Sequence, residues 1–189
     1  MIVAVTGNIC SGKTTAAKEI AKAGFMHINA DTIGHSIYNK PDIRKKIVAA
    51  FGSHVLSGKN VDRKKLRREA LKSTLRLRRL STIMHPAILE SIKGSIKGGN
   101  VIIDAALIIE AGWTLHDVLI LVTASKAERI SRLQRKGRYN KAEIITLLKM
   151  QMPDKDKVRH ADIVVDNSGK KSEFIANIRK IAGELKCKT

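Results

Sequence analysis

The feature that most constrains this chain is the octapeptide GNICSGKT at residues 7–14, which fits the pattern G-x-x-x-x-G-K-[ST]. A short apolar run rich in β-branched residues, Ile2–Thr6, precedes it, and apolar residues with helical spacing follow Lys13. In such a strand–loop–helix unit, the loop amides and the positive end of the helix dipole bind phosphate oxygens. The sequence therefore predicts an α/β fold with a nucleotide-phosphate site near its N-terminus.

Individual side chains of this phosphate loop have distinct predicted roles. Lys13 is predicted to reach the β- and γ-phosphates, and the hydroxyl of Thr14 can ligate Mg²⁺. Cys10 is interpreted as a small spacer without a redox role. The predicted nucleotide-phosphate-binding residues of the loop are Asn8, Ile9, Cys10, Ser11, Gly12, Lys13, Thr14 and Thr15.

Short apolar runs alternate with helical segments along the rest of the chain. Further strands are predicted at residues 25–30, 101–103, 118–122 and 163–165, with helices between them and at the C-terminal end. This alternation predicts a parallel sheet of about five strands, covered on both faces by helices in a three-layer sandwich.

The predicted domain organisation depends on where the strand signal is lost. Residues 41–98 lack it, and their apolar spacing predicts a mostly helical insertion. The nucleotide-binding core is assigned to residues 1–40, 99–124 and 154–189, and residues 125–153 are predicted to form a lid.

Two short motifs are typical of GTPases but are placed wrongly for one. DTIG at residues 31–34 and NKPD at residues 39–42 are too close together, with no strand between them. The second motif is better interpreted as a turn before a helix that begins near Pro41.

Two carboxylates follow predicted strands, where ligands of such sheets bind. Asp31 can accept the proton of an attacking hydroxyl, and the alternative is a helix cap. Asp104 can hold Mg²⁺ directly or through water, and the alternative is a capping or core-edge aspartate. The sequence alone leaves both choices open.

The net charge of +19 indicates polyanionic partners, which include nucleic acid, an acidic membrane or a ligand with several phosphates. The charge is concentrated in residues 62–80 and 126–141, and the second cluster places Arg129, Arg132 and Arg135 along one helix face. Arginines of a mobile lid can neutralise charge during phosphoryl transfer, whereas the alternative is a solvated surface. An aromatic content of 3% argues against a surface that stacks nucleic-acid bases.

Several classes of protein are excluded. No apolar run approaches the length of a membrane span, so no membrane partner is expected. The N-terminal MIVAVTG lacks the features of a signal peptide, and two cysteines form neither a disulfide framework nor a four-ligand zinc site. We therefore expect a cytoplasmic protein.

The motifs, taken in order, resemble the dephospho-coenzyme A kinase family over residues 1–175. The segments that carry the resemblance are GNICSGKTT (7–15), INADTIG (28–34), FGSHVL (51–56), VDRKKL (61–66), HPAI (85–88), IIDAALIIE (102–110), RLQRKGR (132–138), QMP (151–153) and ADIVVDNSG (161–169). The resemblance implies a phosphate-loop kinase fold related to nucleoside monophosphate kinases, with a helical acceptor-binding insertion and a short lid. It also implies transfer of the γ-phosphate of ATP to the ribose 3′-hydroxyl of dephospho-CoA.

The resemblance also implies roles for particular residues. Asp31 would be the catalytic carboxylate, with Lys13 and the lid residues Arg132 and Arg135 completing the catalytic set. The implied acceptor-binding residues are Asp31, Arg63, His85, Leu107 and Glu110, the implied residues near adenine are Asn167 and Gly169, and the implied metal-binding residues are Thr14 and Asp104.

The sequence departs from the family pattern at several positions. Asn8 and Cys10 replace glycines of the phosphate loop, and Asn29 replaces the first aspartate of the D-x-D motif. Ala106 replaces a proline, and Lys136 stands at a lid position that is usually arginine. Lysine keeps the charge but lacks the planar fork that grips phosphate at two points.

The predicted function is therefore ATP- and Mg²⁺-dependent phosphorylation of dephospho-CoA by a monomer or small homo-oligomer without a specific nucleic-acid partner. One alternative is a related phosphate-loop kinase with a different nucleotide or nucleoside acceptor. A less favoured alternative is a basic RNA-binding phosphate-loop NTPase.

Overall fold

The computed structural model describes residues 1–137 and 139–188, and the chain divides into two compact units. Unit 1 consists of Met1–Asn29, Ile96–Tyr139 and Gln151–Thr189, and unit 2 consists of Ala30–Ser95 and Asn140–Met150. The sequence prediction placed the start of the insertion later in the chain and kept residues 125–153 together. The roles of an acceptor-binding insertion and a lid stay predictions.

The strands and helices are numbered in chain order. The strands are β1 (Ile2–Thr6), β2 (Met26–Asn29), β3 (Leu56–Ser57), β4 (Asn60–Val61), β5 (Val101–Asp104), β6 (Val118–Thr123) and β7 (Ile163–Asp166). The helices are α1 (Lys13–Ala21), α2 (Ala30–Ile37), α3 (Pro41–Phe51), α4 (Arg63–Ala70), α5 (Thr74–Ser95), α6 (Lys126–Arg135), α7 (Lys141–Met150), α8 (Asp154–Lys157) and α9 (Lys171–Cys187).

Unit 1 is built on a parallel sheet with strand order β2-β5-β1-β6-β7. The interior strands are apolar because helices cover both faces of a sheet of this kind, and all four residues of β5 are buried. The predicted five-stranded parallel sheet is confirmed, with each strand ending within one residue of the expected position.

The core of unit 1 joins the sheet to α1 and α9. Ala16, Ala17 and Ile20 form the buried face of α1, and Phe174 and Ile178 lie one turn apart on the buried face of α9. Burial of a side chain such as Ile20, which is fully inaccessible, contributes about 1.5–3 kcal/mol. This packing fixes α1, and with it the loop that leads into α1.

Unit 2 is mainly helical. Pro41 occupies the first turn of α3, as predicted, because a proline needs no hydrogen-bond acceptor there. Asp62 caps α4, since its carboxylate accepts hydrogen bonds from the backbone amides of Lys64 and Lys65. The antiparallel hairpin of β3 and β4 did not appear in the prediction, because two-residue strands leave no periodic signal.

Within the described residues, no helix combines the length and the hydropathy needed to cross a membrane.

Candidate active site

The phosphate loop connects β1 to α1 through a backbone that favours glycine at one key position. Gly12 has a φ of +112° immediately before α1, and a Cβ atom there would lie 2.3 Å from the Asn167 Nδ2 atom. The carbonyl of Gly12 accepts the first hydrogen bonds of α1, from the amides of Thr15 and Ala16. Lys13 and Thr14 therefore stand in the first turn of α1, where the helix dipole favours anions.

The loop accommodates Cys10, one of the departures from the family pattern, in a conformation that favours glycine. Cys10 has a φ of +61°, the left-handed conformation that an L-residue adopts at a cost of about 1–2 kcal/mol. A glycine would adopt this conformation without that cost. The loop therefore keeps its shape with a non-glycine residue at this position.

Arg132 and Asn167 bind the second half of the loop. The Arg132 guanidinium donates to the carbonyl oxygens of Cys10 (3.1 Å), Ser11 (3.3 Å) and Asn167 (2.7 Å). The Asn167 side-chain amide donates to the Ser11 carbonyl at 2.6 Å. These contacts pair the carbonyl oxygens of Cys10 and Ser11 with donors, so these oxygens carry less unpaired negative charge beside a bound anion.

The first half of the loop is held by the segment before and within α8. The Asn8 side-chain amide donates to the Met152 carbonyl at 3.1 Å and to the Asp154 carboxylate at 2.6 Å. The Ile9 amide donates to the Gln151 side-chain oxygen at 2.7 Å. Burial raises the pKa of Asp154, and the nearby Arg129 guanidinium opposes that shift.

Asp104 occupies the carboxyl end of β5, next to β1 in the sheet. Its carboxylate is buried, and Oδ2 accepts a hydrogen bond from the Asn29 side-chain amide at 2.7 Å. His27 Nε2 lies 3.9 Å from the same oxygen. The other oxygen, Oδ1, is buried without a hydrogen-bond partner, so it remains available to a bound cation or its water.

Glu110 is engaged by a lysine that the sequence analysis missed. Lys157 is fully buried, and its ammonium lies 2.9 Å from Glu110 Oε1 and 3.4 Å from the Ala106 carbonyl. The same Glu110 oxygen accepts a hydrogen bond from the Met152 amide at 3.0 Å. Burial lowers the pKa of Lys157, and the Glu110 carboxylate opposes that shift.

Unit 2 brings two of the predicted acceptor residues close to each other. Arg63 at the start of α4 lies with its Nη2 atom 2.7 Å from His35 Nε2, and both Arg63 and Asp31 act electrostatically on His35. Tyr38 belongs to the same group, since burial raises its pKa while the charges of Arg63 and Asp31 act in opposite directions. We call Asp31, His35, Tyr38 and Arg63 the unit 2 cluster.

Asp31 is an exposed residue in the first turn of α2, inside the helix rather than at its cap. His35 and Tyr38 follow Asp31 at helical spacing, the spacing that places residues on one face of a helix. The helical periodicity of residues 31–38 could therefore have identified His35 and Tyr38 from the sequence. Burial lowers the pKa of His35 and the Arg63 guanidinium lowers it further, whereas the Asp31 carboxylate raises it.

The remaining predicted residues lie in three different settings. His85 is half-buried in α5, Leu107 is half-buried in the turn after β5, and Arg135 is exposed at the end of α6. Gly169 lines an open groove of about 540 Å³ between β7 and α9. Of the predicted adenine pair, Asn167 contacts the phosphate loop while Gly169 faces this groove.

Comparison with known proteins places these residues in a family context. A family model described as dephospho-CoA kinase matches residues 1–173. The curated dephospho-CoA kinase of Aquifex aeolicus is 33% identical over an alignment that covers 97% of this chain and 96% of that protein.

Solved structures show the same architecture. A structure from Thermus thermophilus is 25% identical, covers 98% of this chain and 97% of its own, and has a TM-score of 0.75. A dephospho-CoA kinase from Campylobacter jejuni is 21% identical, with coverages of 97% and 96% and a TM-score of 0.62. These likenesses confirm the predicted α/β phosphate-loop fold.

Proposed function

The chain belongs to the dephospho-CoA kinase family, and we propose that it transfers the γ-phosphoryl group of ATP to the ribose 3′-hydroxyl of dephospho-CoA. The observation that carries this proposal is the family match over residues 1–173, which contains both the phosphate loop and Asp31. ATP is the phosphoryl donor of such a kinase, and the phosphate loop supplies the groups that bind its phosphates.

Unit 1 binds the donor. The loop amides and the N-terminus of α1 hold the β-phosphate, and the Lys13 ammonium contacts the β- and γ-phosphates. Support comes from the Arg132 and Asn167 side chains, which donate hydrogen bonds to the loop carbonyl oxygens of Cys10 and Ser11. Arg132 adds positive charge beside the loop, and Arg135 is the exposed arginine of α6 that can contact the transferred group.

The residues of unit 1 also fit a magnesium ion. Thr14 offers a hydroxyl in the first turn of α1, and Asp104 offers the buried oxygen that lacks a hydrogen-bond partner. Hydroxyl, carboxylate and phosphate oxygens are the ligands that Mg²⁺ prefers. When bound, Mg²⁺ neutralises charge on the β- and γ-phosphates.

Asp31 and Arg63 of unit 2 supply groups for the acceptor. The Asp31 carboxylate orients the 3′-hydroxyl and takes its proton as the hydroxyl oxygen bonds to the γ-phosphorus. The bond between the γ-phosphorus and the β–γ bridging oxygen breaks, and ADP leaves with that electron pair. Arg63 provides positive charge for the anionic acceptor, while His85, Leu107 and Glu110 remain predicted contacts of the acceptor.

The proposed reaction is tested by measuring ADP release from ATP and Mg²⁺ with different acceptors. Dephospho-CoA is compared with AMP, CMP, adenosine and short RNA. We expect ADP release that depends on dephospho-CoA and a product with the mass of CoA. Turnover with another acceptor and none with dephospho-CoA would retain the donor site and reject the proposed acceptor.

The role of Asp31 is tested by Asp31→Asn. We expect turnover to fall by at least about 100-fold while ATP binding persists, because the amide cannot take the proton. Asp42→Asn is a matched control, since Asp42 is also an exposed aspartate in the first turn of a unit 2 helix. Near-normal turnover of Asp31→Asn would remove Asp31 from the catalytic role.

A further inference from the structure

The first half of the phosphate loop lies between β1 and α1, where a turn from the Ser11 amide to the Asn8 carbonyl (2.9 Å) and the segment at residues 151–154 hold it. Three hydrogen bonds join the loop to this segment, through Asn8 and the Ile9 amide on the loop side. Asn8 is 2% exposed, so its side-chain amide bonds to these protein partners rather than to water. The position of the loop therefore depends on how firmly residues 151–154 are held.

Residues 151–154 are held in turn by a buried charge pair. Glu110 Oε1 accepts the hydrogen bond of the Met152 amide, and the same oxygen lies 2.9 Å from the Lys157 ammonium. The ammonium also reaches the Ala106 carbonyl, which accepts a second hydrogen bond from the hydroxyl of Thr6 at the end of β1. Lys157 therefore links Glu110, which holds Met152, to the Ala106 carbonyl, which contacts the end of β1 just before the loop.

We propose that Lys157 is a positioning residue for ATP binding: its buried ammonium fixes Glu110, Glu110 fixes Met152, and Met152 fixes Asn8 in the phosphate loop. Lys157 touches neither substrate in this arrangement. This inference rests on the proposed function for the identity of the acceptor, but its effect on ATP is independent of that acceptor.

The character of the pair favours positioning over simple stabilisation. A buried ion pair often contributes little net stability compared with apolar side chains of similar size. Its charge-assisted hydrogen bonds are nevertheless directional, and here they end on a backbone amide and on a carbonyl beside the loop. The charge of Lys13, the predicted contact of the donor phosphates, acts electrostatically on Lys157.

The central variant is Lys157→Met, which keeps an unbranched apolar stem and removes the charge. Binding of a non-hydrolysable ATP analogue with Mg²⁺ is measured without acceptor, and KM for ATP and for dephospho-CoA are measured in turnover. Lys155→Met is the matched control, because Lys155 is an exposed lysine of the same helix, α8.

We expect Lys157→Met to weaken analogue binding by about tenfold and to raise KM for ATP similarly, because loop amides are displaced from the phosphates. KM for dephospho-CoA should rise less than KM for ATP, because Glu110, which Lys157 holds, is only one of several predicted contacts of the acceptor. Hydrogen exchange of the Ile9 amide, which donates to Gln151, should accelerate. Lys155→Met should leave all four measurements unchanged.

A double-mutant cycle tests the path of the effect. If Lys157 acts through Asn8, the variant Lys157→Met with Asn8→Ala should bind the analogue no more weakly than the worse single variant. Additive losses would overturn the proposed path. Where Lys157→Met does not fold, Glu110→Gln replaces it in the cycle, because it keeps the shape of the pair.

Unchanged analogue binding in a folded Lys157→Met protein would overturn the inference, as would equal increases in both KM values. A wild-type protein that binds the analogue but ignores dephospho-CoA would reject the proposed acceptor instead. In that case the binding and exchange measurements still decide the role of Lys157.

Discussion

The phosphate loop and the unit 2 cluster hold their functional groups in opposite ways. Backbone and side-chain hydrogen bonds engage both halves of the loop, and among the partners Asn167 is buried while Arg132, Gln151 and Asp154 are half-buried. The unit 2 cluster is more exposed, and its members act on one another mainly through charge. A triphosphate site needs fixed amides, whereas the cluster can adjust its charges with pH.

The largest expected effect comes from Gly12→Ala. The new methyl group would meet the Asn167 amide at 2.3 Å in a backbone conformation already unfavourable for alanine. We expect ATP-analogue affinity to fall by about 100-fold or more, measured by titration. Gly24→Ala is the control, because Gly24 also has a positive φ, +101°, but no atom lies close enough to collide with a new methyl group. An equal loss of affinity in Gly24→Ala, which lies outside the phosphate loop, would show that the collision with Asn167 is not the cause.

The next effect concerns Asn29→Asp, which restores the aspartate of the family pattern. The new carboxylate would stand where the Asn29 amide now donates to Asp104 at 2.7 Å. Loss of that hydrogen bond and the repulsion between carboxylates should destabilise the protein by about 1–3 kcal/mol at neutral pH. Urea unfolding with and without Mg²⁺ measures this change. A stability equal to the wild type without Mg²⁺ would show that Asn29 does not support Asp104.

A substitution in the unit 2 cluster should affect the other substrate. Arg63→Met is expected to raise KM for dephospho-CoA by about tenfold, because a charge-assisted contact to an anionic group is lost. KM for ATP should stay within about twofold. Lys64→Met is the control, since Lys64 is the exposed cation next to Arg63 in α4. An increase in KM for ATP alone would assign Arg63 to the donor and break the comparison between the regions.

The smallest effect is a pH dependence of acceptor binding. The folded-state pKa of His35 lies below its ordinary value, so the neutral ring is favoured by the fold. Its stabilising contribution is present above the ordinary pKa of about 6.5 and is lost as pH falls through the lowered value. Protonation would place a positive ring against Arg63, partly offset by Asp31, with the Tyr38 hydroxyl nearby.

We therefore expect KM for dephospho-CoA to rise about threefold when the pH falls from neutral to about 5.5. His35→Asn should flatten this profile, whereas His160→Asn, at an exposed histidine of unit 1, should leave it unchanged. The same profile in wild type and His35→Asn would assign the dependence to another group.

The sheet and the phosphate loop could be predicted because their sequence signals are local. Buried parallel strands are apolar throughout, and the loop pattern is fixed by the needs of a phosphate. The β3–β4 hairpin and the burial of Lys157 could not be predicted, because they depend on tertiary contacts. A lysine in a charged tetrapeptide such as α8 is usually exposed, and the burial of Lys157 depends on two distant partners, the Glu110 carboxylate and the Ala106 carbonyl.

The resemblance to a family assigned roles to individual residues, but it did not predict which residues each of them contacts. Arg132 was expected in a lid and binds loop carbonyls in this structure. Glu110 was expected at the acceptor and holds Lys157 and Met152. Their roles in the reaction stay predictions, and the contacts show how each can act through the loop.

The strand order also determines when the nascent chain can form its sheet. The central strand β1 pairs with β5 and β6, where Ile2 lies beside Val101 and Val3 beside Val118. During synthesis, β1 therefore has no strand to pair with until about 100 further residues have been made. Pairings between such distant segments form slowly. An apolar strand that waits this long is a natural target for chaperones, and co-translational proteolysis should find it protected only after β6 has emerged.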